Sequence, residues 1–360
     1  MPGVRIAGTG SYLPGPPIDN ETLRRFLRRY PDGLSESAQE RVLAETGIET
    51  RHIAIDILDD SRRGSNTTMA AEAGRRALAA AGWLPDDVEF LVVTTVLPDK
   101  LMPATSTLVQ KVLGISHCAE LEISGNCTAP SKGLMVAASE LRLGTYSRAL
   151  VCSSQYASFL GLPPWTNPDS MTPDQGHLRW VLSDGAAALA LEAGEPDIEL
   201  RVFLDSTGSG KRSGMELPLG ASDPDLVGAF RRGTHHVSQN RRYVLKEGVR
   251  CATEGLGRFL RTLEIPGQAI DHFIPSVSSV LIARKLQDRF AKRFGISPDA
   301  WRMNFSQVGY VGSVAVPVML DELARDGRLR SGDLVCAAAE ESSKWMFAGT
   351  VFRWNPSTFR

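Results

Sequence analysis

The chain predicts an α/β protein made of two similar halves, and two patterns carry that expectation. Apolar, β-branched runs alternate with helix-like runs along the length of the chain, and an order of elements seen in the first half returns in the second. Val4–Gly8 reads as a strand. Thr67–Gly82 (TTMAAEAGRRALAAAG) is an Ala-rich helix, and Glu89–Val96 (EFLVVTTV) is an uninterrupted apolar run of the kind buried on both faces of a sheet. A helix-like STLVQKVLGIS (106–116), the strand LEISGNC (121–127), a helix from about Ser131 and the strand RALVCSS (148–154) complete the first unit. The second unit runs IDHFIPSV (270–277), VLIARKLQDRFAKRFGIS (280–297), RMNFSQVGY (302–310), a helix through Val316–Arg325 and DLVCAAAE (333–340). Cys127 to Cys152 is 25 positions and Tyr310 to Cys336 is 26. The repeat therefore predicts two βαβαβ halves, residues 1–195 and 196–360, around a pseudo-twofold axis, with strand-to-helix turns at Cys127 and Tyr310.

Between the repeated units, Ser158–Gly176 and Asp205–Ser238 are irregular and rich in Pro, Gly and polar residues; each is read either as cover for a substrate channel or as a plain surface insertion.

Bulk composition excludes several classes. The 360 residues carry 40 Lys and Arg against 41 Asp and Glu, with no sustained basic block, so a broad nucleic-acid surface is not expected. No charged region followed by a long apolar core opens the chain, and no apolar run reaches the roughly 18 residues of a membrane span, which predicts a cytoplasmic protein. Five scattered cysteines show neither a disulfide framework nor metal-ligand spacing. The Gly-rich STGSGKRSG (206–214) lacks the spacing of a phosphate-binding P-loop.

One segment carries chemistry. In ISGNCTAPSKGL (123–134) Cys127 lies between two glycines where a strand gives way to a helix. A thiol at a helix N-terminus meets unpaired N–H groups and the positive end of the helix dipole, which favours the thiolate. The alternative is a small buried cysteine with no reactivity.

VRIAGTGSYLPGPPIDNETL at the start, TGIETRHIA (46–54), LPDKLMPATSTLVQKVLG (97–114), the Cys127 segment, SDGAAALALE (183–192) and LVCAAAEESSKWMFAG (334–349) together resemble the ketoacyl synthase III branch of the thiolase superfamily. The resemblance spans nearly the whole chain and implies a thiolase-like fold in αβαβα layers and a homodimer. It also implies an acyl-enzyme on Cys127, loaded from an acyl-CoA or acyl-carrier-protein thioester, with no permanently bound cofactor and no metal. By the same resemblance, RALVCSSQY (148–156) is the expected core of the dimer interface.

The catalytic partners of that family are replaced. Its histidine position is Ser276, its asparagine position is Tyr310, a phosphate-associated arginine position is Leu281, and a glycine-rich turn near the C-terminus has become Glu340-Glu-Ser-Ser343. Ser276 and Tyr310 each donate a hydrogen bond, but neither is a base near neutral pH. The base must come from elsewhere. Because successive strand residues face opposite ways, only one of Glu340 and Glu341 should point inward, and Glu341 is taken as the catalytic carboxylate. Asn126, Thr128, Ser342 and His236 are taken as substrate-binding. His272 is placed too far along its strand to substitute, Lys132 is read as an exposed helix lysine, and Lys211, Arg212, Arg231, Arg232, Arg241 and Arg242 are candidate phosphate contacts or ordinary surface charge. The sequence thus predicts an acyltransferase that passes an acyl group from Cys127 to a hydroxyl, amine or carrier thiol in specialised metabolism. A decarboxylative condensing enzyme and a non-catalytic thiolase-fold partner subunit are the alternatives.

Overall fold

A computed structural model describes residues 2–30, 32–161, 165–194, 200–220 and 225–355. The division expected between residues 195 and 196 lies outside them. The first sheet contains β1 (Gly3–Tyr12), β2 (Phe90–Thr95), β3 (Ala119–Ser124), β4 (Arg148–Gln155) and β5 (Gly185–Gly194), in the spatial order β1-β5-β4-β2-β3. The second contains β6 (Arg201–Ser206), β7 (His272–Pro275), β8 (Leu334–Glu341) and β9 (Met346–Arg353), in the order β6-β9-β8-β7.

The two orders correspond strand for strand. In each sheet the first three strands pair antiparallel and the next pair is parallel. Beyond β7, where the first sheet has β3, stands only an isolated parallel bridge between Phe273 and Trp301. The segment 302–310, expected to mirror the strand at 121–127, is instead a helical turn, Phe305–Val308, that ends at Gly309.

Helices α1 (Asn66–Ala81) and α2 (Thr105–Leu113) cover the outer side of the first sheet, and α4 (Arg241–Thr262) and α5 (Val280–Phe294) that of the second. α3 (Ala129–Leu143) and α6 (Ala315–Arg325) lie between the sheets. These are the five αβαβα layers. The strands are apolar on both faces because both faces are covered: β2 is buried at every residue and β4 at every residue but its first. Val92, Val151, Leu134, Ile274 and Leu320 fill the space between the sheets, each nearly or wholly buried. Gly133 lets α3 approach: a Cβ there would stand 3.0 Å from both Thr94 Cγ2 and Val151 Cγ1. α3 starts at Ala129, two residues before the expected Ser131, with Pro130 in its first turn, where the missing N–H costs no helical bond.

β4 cannot form the core of an interface. It is paired on both sides, with β2 and β5, and its side chains are consumed in the two cores. The open edge of the first sheet is β3, which exposes Glu120, Leu121 and Ser124.

Candidate active site

The strand-to-helix turn after β3 places Cys127 one residue before Thr128, the N-cap of α3. Tyr310 reaches it from the second half. The chain turns at Gly309 with φ +72°, and a Cβ on Gly309 would stand 2.7 Å from Arg51 Cβ. That backbone conformation and that closeness both call for glycine. Tyr310 is then held by its backbone: its N–H donates to Val181 O at 3.1 Å, and its carbonyl accepts from Ser183 N–H at 3.0 Å and Gln155 Nε2 at 3.3 Å. Its hydroxyl lies 3.0 Å from Cys127 Sγ and 3.3 Å from Ser276 Oγ. Ser276 follows directly on β7, is 2% exposed, and is fixed by donation of its N–H to Ala338 O at 2.8 Å. Cys127, Tyr310 and Ser276, which the sequence singled out from three separate segments, are therefore in contact.

All five cysteines are free, and among the described residues no cluster of His, Cys, Asp and Glu is placed to hold a metal ion. No described helix is long and apolar enough to cross a membrane.

The electrostatics of Cys127 run against the sequence expectation. Cys127 borders a cavity and keeps some exposed surface, yet it lies deep enough that burial pushes its thiol up to about 12. The Tyr310 hydroxyl and Ser276 pull it down, and the charges of Glu341 and Glu340 push it up. Burial and two carboxylates act against the helix terminus. The resting group is the thiol, and removing its proton needs a base. Tyr310 is no such base, since burial and then the neighbouring cysteine raise its hydroxyl well above 10.

The two glutamates at the end of β8 face opposite ways. Glu341, 7% exposed, turns towards α3, where its Oε2 accepts from Thr128 Oγ1 at 2.5 Å and Asn126 N–H at 3.3 Å, while Ser343 Oγ donates to its Oε1 at 2.6 Å. Lys132 Nζ adds an ion pair at 3.8 Å. This carboxylate caps the nucleophile turn and holds it in place. A group so fully engaged is poorly suited to the role of base assigned to it from sequence. Thr128, fully buried by the same contact, does not border the cavity, which corrects its assignment as a substrate-binding residue; Asn126 and Ser342 do border it. Glu340 turns the other way, towards α4, and borders the cavity with Cys127 and Tyr310. Its carboxyl meets only its own backbone N–H, and burial raises it to about 8. Parity along the strand signalled that the two residues would differ, but not which of them had partners.

The cavity is about 530 Å³. Leu97, Val181, Leu182, Val244 and Ile282 supply much of its apolar wall, and residues 215–219 and 237–239 close over it. In that cover a short antiparallel pair, Met215–Glu216 with Ser238–Gln239, sets Met215 Sδ 3.5 Å from Asn126 Nδ2. The segment 205–238 thus supplies cover, whereas among its described residues 158–176 contributes only Leu160 to the wall. A second chamber of about 640 Å³, bordered by Arg41, Arg241, Arg242, Glu45, Asp174 and Leu281, shares Val181, Gln239, Val244, Ser278 and Ile282 with the first and forms a weakly basic vestibule to it. Arg241 pairs there with Glu45.

Other candidates lie elsewhere. His236 is outside the main cavity, contrary to its assignment as substrate-binding. Its Nε2 accepts from Asn167 N–H at 3.0 Å, and burial, then the His235 and Arg179 charges, lower it to about 4. It is a neutral clasp between two loops. His272 bonds Asp333 and Arg302, each at 2.9 Å. Lys211 faces Glu247 at 3.9 Å, Arg212 stacks 4.2 Å above the ring of Tyr243, and Arg232 pairs with Asp225 at 3.3 Å. Asp184 is fully buried and accepts from the N–H groups of Ala54, Ala157 and Ser158 at 2.6 to 2.9 Å, a structural role.

A two-sheet αβαβα fold with a cysteine at the turn into a central helix defines a thiolase-like protein. Comparison with known proteins refines the class. Residues 260–354 match the family model described as 3-Oxoacyl-[acyl-carrier-protein (ACP)] synthase III C terminal. The chain is 28% identical to the beta-ketoacyl-[acyl-carrier-protein] synthase III of Sphingopyxis alaskensis over 99% of its own length and 98% of that protein. It is also 28% identical to the protein of the same name from Symbiobacterium thermophilum, over 98% of both. Among solved structures, AbyA1, a tetronic acid condensing enzyme, superposes with a TM-score of 0.83 at 26% identity, covering 98% of this chain and 100% of that one. FabH from Pseudomonas aeruginosa, 22% identical with a TM-score of 0.78 and 98% of both chains covered, shares the fold. Over nearly its whole length the chain is similar to ketoacyl synthase III proteins and shares the thiolase-like fold, with Cys127 at the turn into α3 and Ser276 and Tyr310 beside it.

Proposed function

We propose that the protein is an acyltransferase in which Cys127 takes an acyl group from a CoA or carrier-protein thioester and passes it to a hydroxyl, an amine or a carrier thiol. The observation that carries this reading is the contact between Cys127 Sγ and Tyr310 Oη, 3.0 Å, at the wall of a largely apolar cavity with a weakly basic vestibule. The apolar wall suits an acyl chain, and the vestibule suits the phosphates of the donor. Tyr310 donates its O–H towards the oxygen on which charge develops when the thiolate attacks the thioester.

A heteroatom acceptor is favoured over a malonyl carbanion because neither the histidine nor the asparagine of the family is there to stabilise an enolate. A condensing reaction is the second reading, supported by the likeness to AbyA1.

The exposed edge of β3 is the surface on which we place a homodimer. Leu121 is 38% exposed on it, and Leu101 and Met102, 99% and 85% exposed, stand in the loop that leads to Thr105, whose N–H is bound by Glu122 of β3. A cytoplasmic enzyme of specialised metabolism without a permanent cofactor completes the reading.

Intact-protein mass spectrometry after incubation with acyl-CoA and acyl-carrier thioesters tests it. The expected result is a mass increase that Cys127→Ala abolishes and that amines, alcohols or thiols discharge without carbon dioxide release. Carbon dioxide release from a malonyl thioester would establish condensation instead. No adduct with any donor would overturn both.

A further inference from the structure

We propose that Glu340 is the proton-transferring catalytic residue of this site, taking the proton of Cys127 during acylation and the proton of the acceptor during transfer. The proposal rests on the acyltransferase reading above and names the base which that reading lacks.

Four observations carry it. Glu340 borders the same cavity as Cys127 and Tyr310, and its charge acts on both. Its carboxyl has no ion pair and no side-chain hydrogen bond among the described residues, whereas the adjacent Glu341 has four partners. A partly buried carboxyl at the cavity wall that makes no side-chain bond contributes nothing to holding the fold, so a structural role does not account for it. Third, the face of β8 that carries Glu340 also carries Cys336 and Ala338, both part of the apolar core on that side, so a charged residue at position 340 breaks an otherwise apolar row. Fourth, the histidine that would serve is missing: its position is Ser276, and His235, His236 and His272 are engaged elsewhere. The titratable groups around Glu340 are Cys127 and Tyr310 across the cavity, Cys251 on α4, and Glu216, Glu341 and Lys132 elsewhere on the cavity wall. Lys132, which borders the cavity, is paired with Glu341, and no cation acts on Glu340.

The proton balance closes over one cycle. The Glu340 carboxylate accepts the proton of the Cys127 thiol, and the thiolate forms a bond to the thioester carbonyl carbon. The donor's carbon–sulfur bond then breaks, and its thiolate leaves with the proton from Glu340. In the second half the carboxylate accepts the proton of the acceptor hydroxyl, amine or thiol as that atom bonds to the acyl carbon. Cys127 departs as a thiolate and recovers the proton. No oxidant or further reactant is needed. A carboxyl raised to about 8 is matched to this work, because both of its forms are populated near neutral pH.

The test compares wild type with Glu340→Gln and Glu340→Asp, using hexanoyl-CoA as donor and rapid quench with intact-mass readout from pH 6 to 10, and circular dichroism to establish folding. Alkylation by iodoacetamide monitors Cys127 independently of any thioester. Wild-type acylation should rise about tenfold per pH unit and level off near pH 8. Glu340→Gln should be slower by about 10²–10³-fold at pH 7, within the range general acid–base catalysis supplies, without the inflection near 8 and with Cys127 still alkylated at pH 10, where hydroxide takes its proton. Glu340→Asp should recover part of the rate. Wild-type loading with unchanged rate and profile in Glu340→Gln would overturn the role of Glu340 alone. Absence of loading in the wild type would overturn the acyltransferase reading and the role of Glu340 with it.

Discussion

Glu340 also makes a prediction about folding that needs no substrate. A carboxyl raised from 4.5 to about 8 in the folded chain binds its proton there while the unfolded chain has released it. The sign follows from that difference. Below about pH 4.5 both states hold the proton and Glu340 costs nothing. Between 4.5 and 8 the folded state carries one proton more, so stability falls as pH rises, and above 8 the loss is complete. At 1.36 kcal/mol per unit the full loss approaches about 5 kcal/mol, an upper bound because water entering the cavity solvates the carboxylate. Urea unfolding of wild type and Glu340→Gln between pH 5.5 and 7.5 checks this. The variant lacks the titration, so the wild type should lose about 2–3 kcal/mol relative to it over that interval. Parallel stability curves, within about 0.5 kcal/mol, would refute the reasoning and show Glu340 to be hydrated in the folded state.

Tyr310→Phe removes the hydroxyl beside Cys127 and should slow acylation by about 10–100-fold with little change in Tm, as read by rapid-quench mass spectrometry. Glu341→Ala strips the acceptor from Thr128, Asn126 and Ser343 and should destabilise the protein by about 2–4 kcal/mol in urea melts, whereas Glu341→Gln should cost less. Asp184→Ala leaves the N–H groups of Ala54, Ala157 and Ser158 without their acceptor and should lower Tm by several degrees in calorimetry. Leu121→Glu on the open edge of β3 should yield monomers in sedimentation velocity. A dimer that survives it would move the interface away from this edge.

The layered fold was legible because the repeat fixes which strands correspond, and apolar runs such as Glu89–Val96 fix which are covered on both faces. The repeat overreached at 302–310: Trp301 makes an isolated bridge to Phe273, and the segment after it forms a helical turn. Cys127, Ser276 and Tyr310, singled out from three segments, meet in the structure, the first two just after strands and Tyr310 after the helical turn that ends at Gly309. What could not be read was the energetics. The helix terminus suggested a thiolate, but burial is a property of the whole fold, and it keeps the thiol protonated. Glu340 and Glu341 are indistinguishable by type, and only the contacts of Thr128, Asn126 and Ser343 separate the strap from the free carboxyl. His236 looked available because its partners, 69 residues away at Asn167, are invisible to any local pattern.

Val181, Gln239, Val244, Ser278 and Ile282 border both the cavity and its vestibule. In the proposed acyl transfer, a donor and an acceptor that share this approach to the sulfur bind in turn, which predicts ping-pong kinetics. Double-reciprocal plots at varied acceptor should be parallel, and excess acceptor should inhibit competitively against the donor. Without any acceptor, radiolabel should scramble between acyl donor and free CoA, a reaction that a ternary-complex enzyme would not perform.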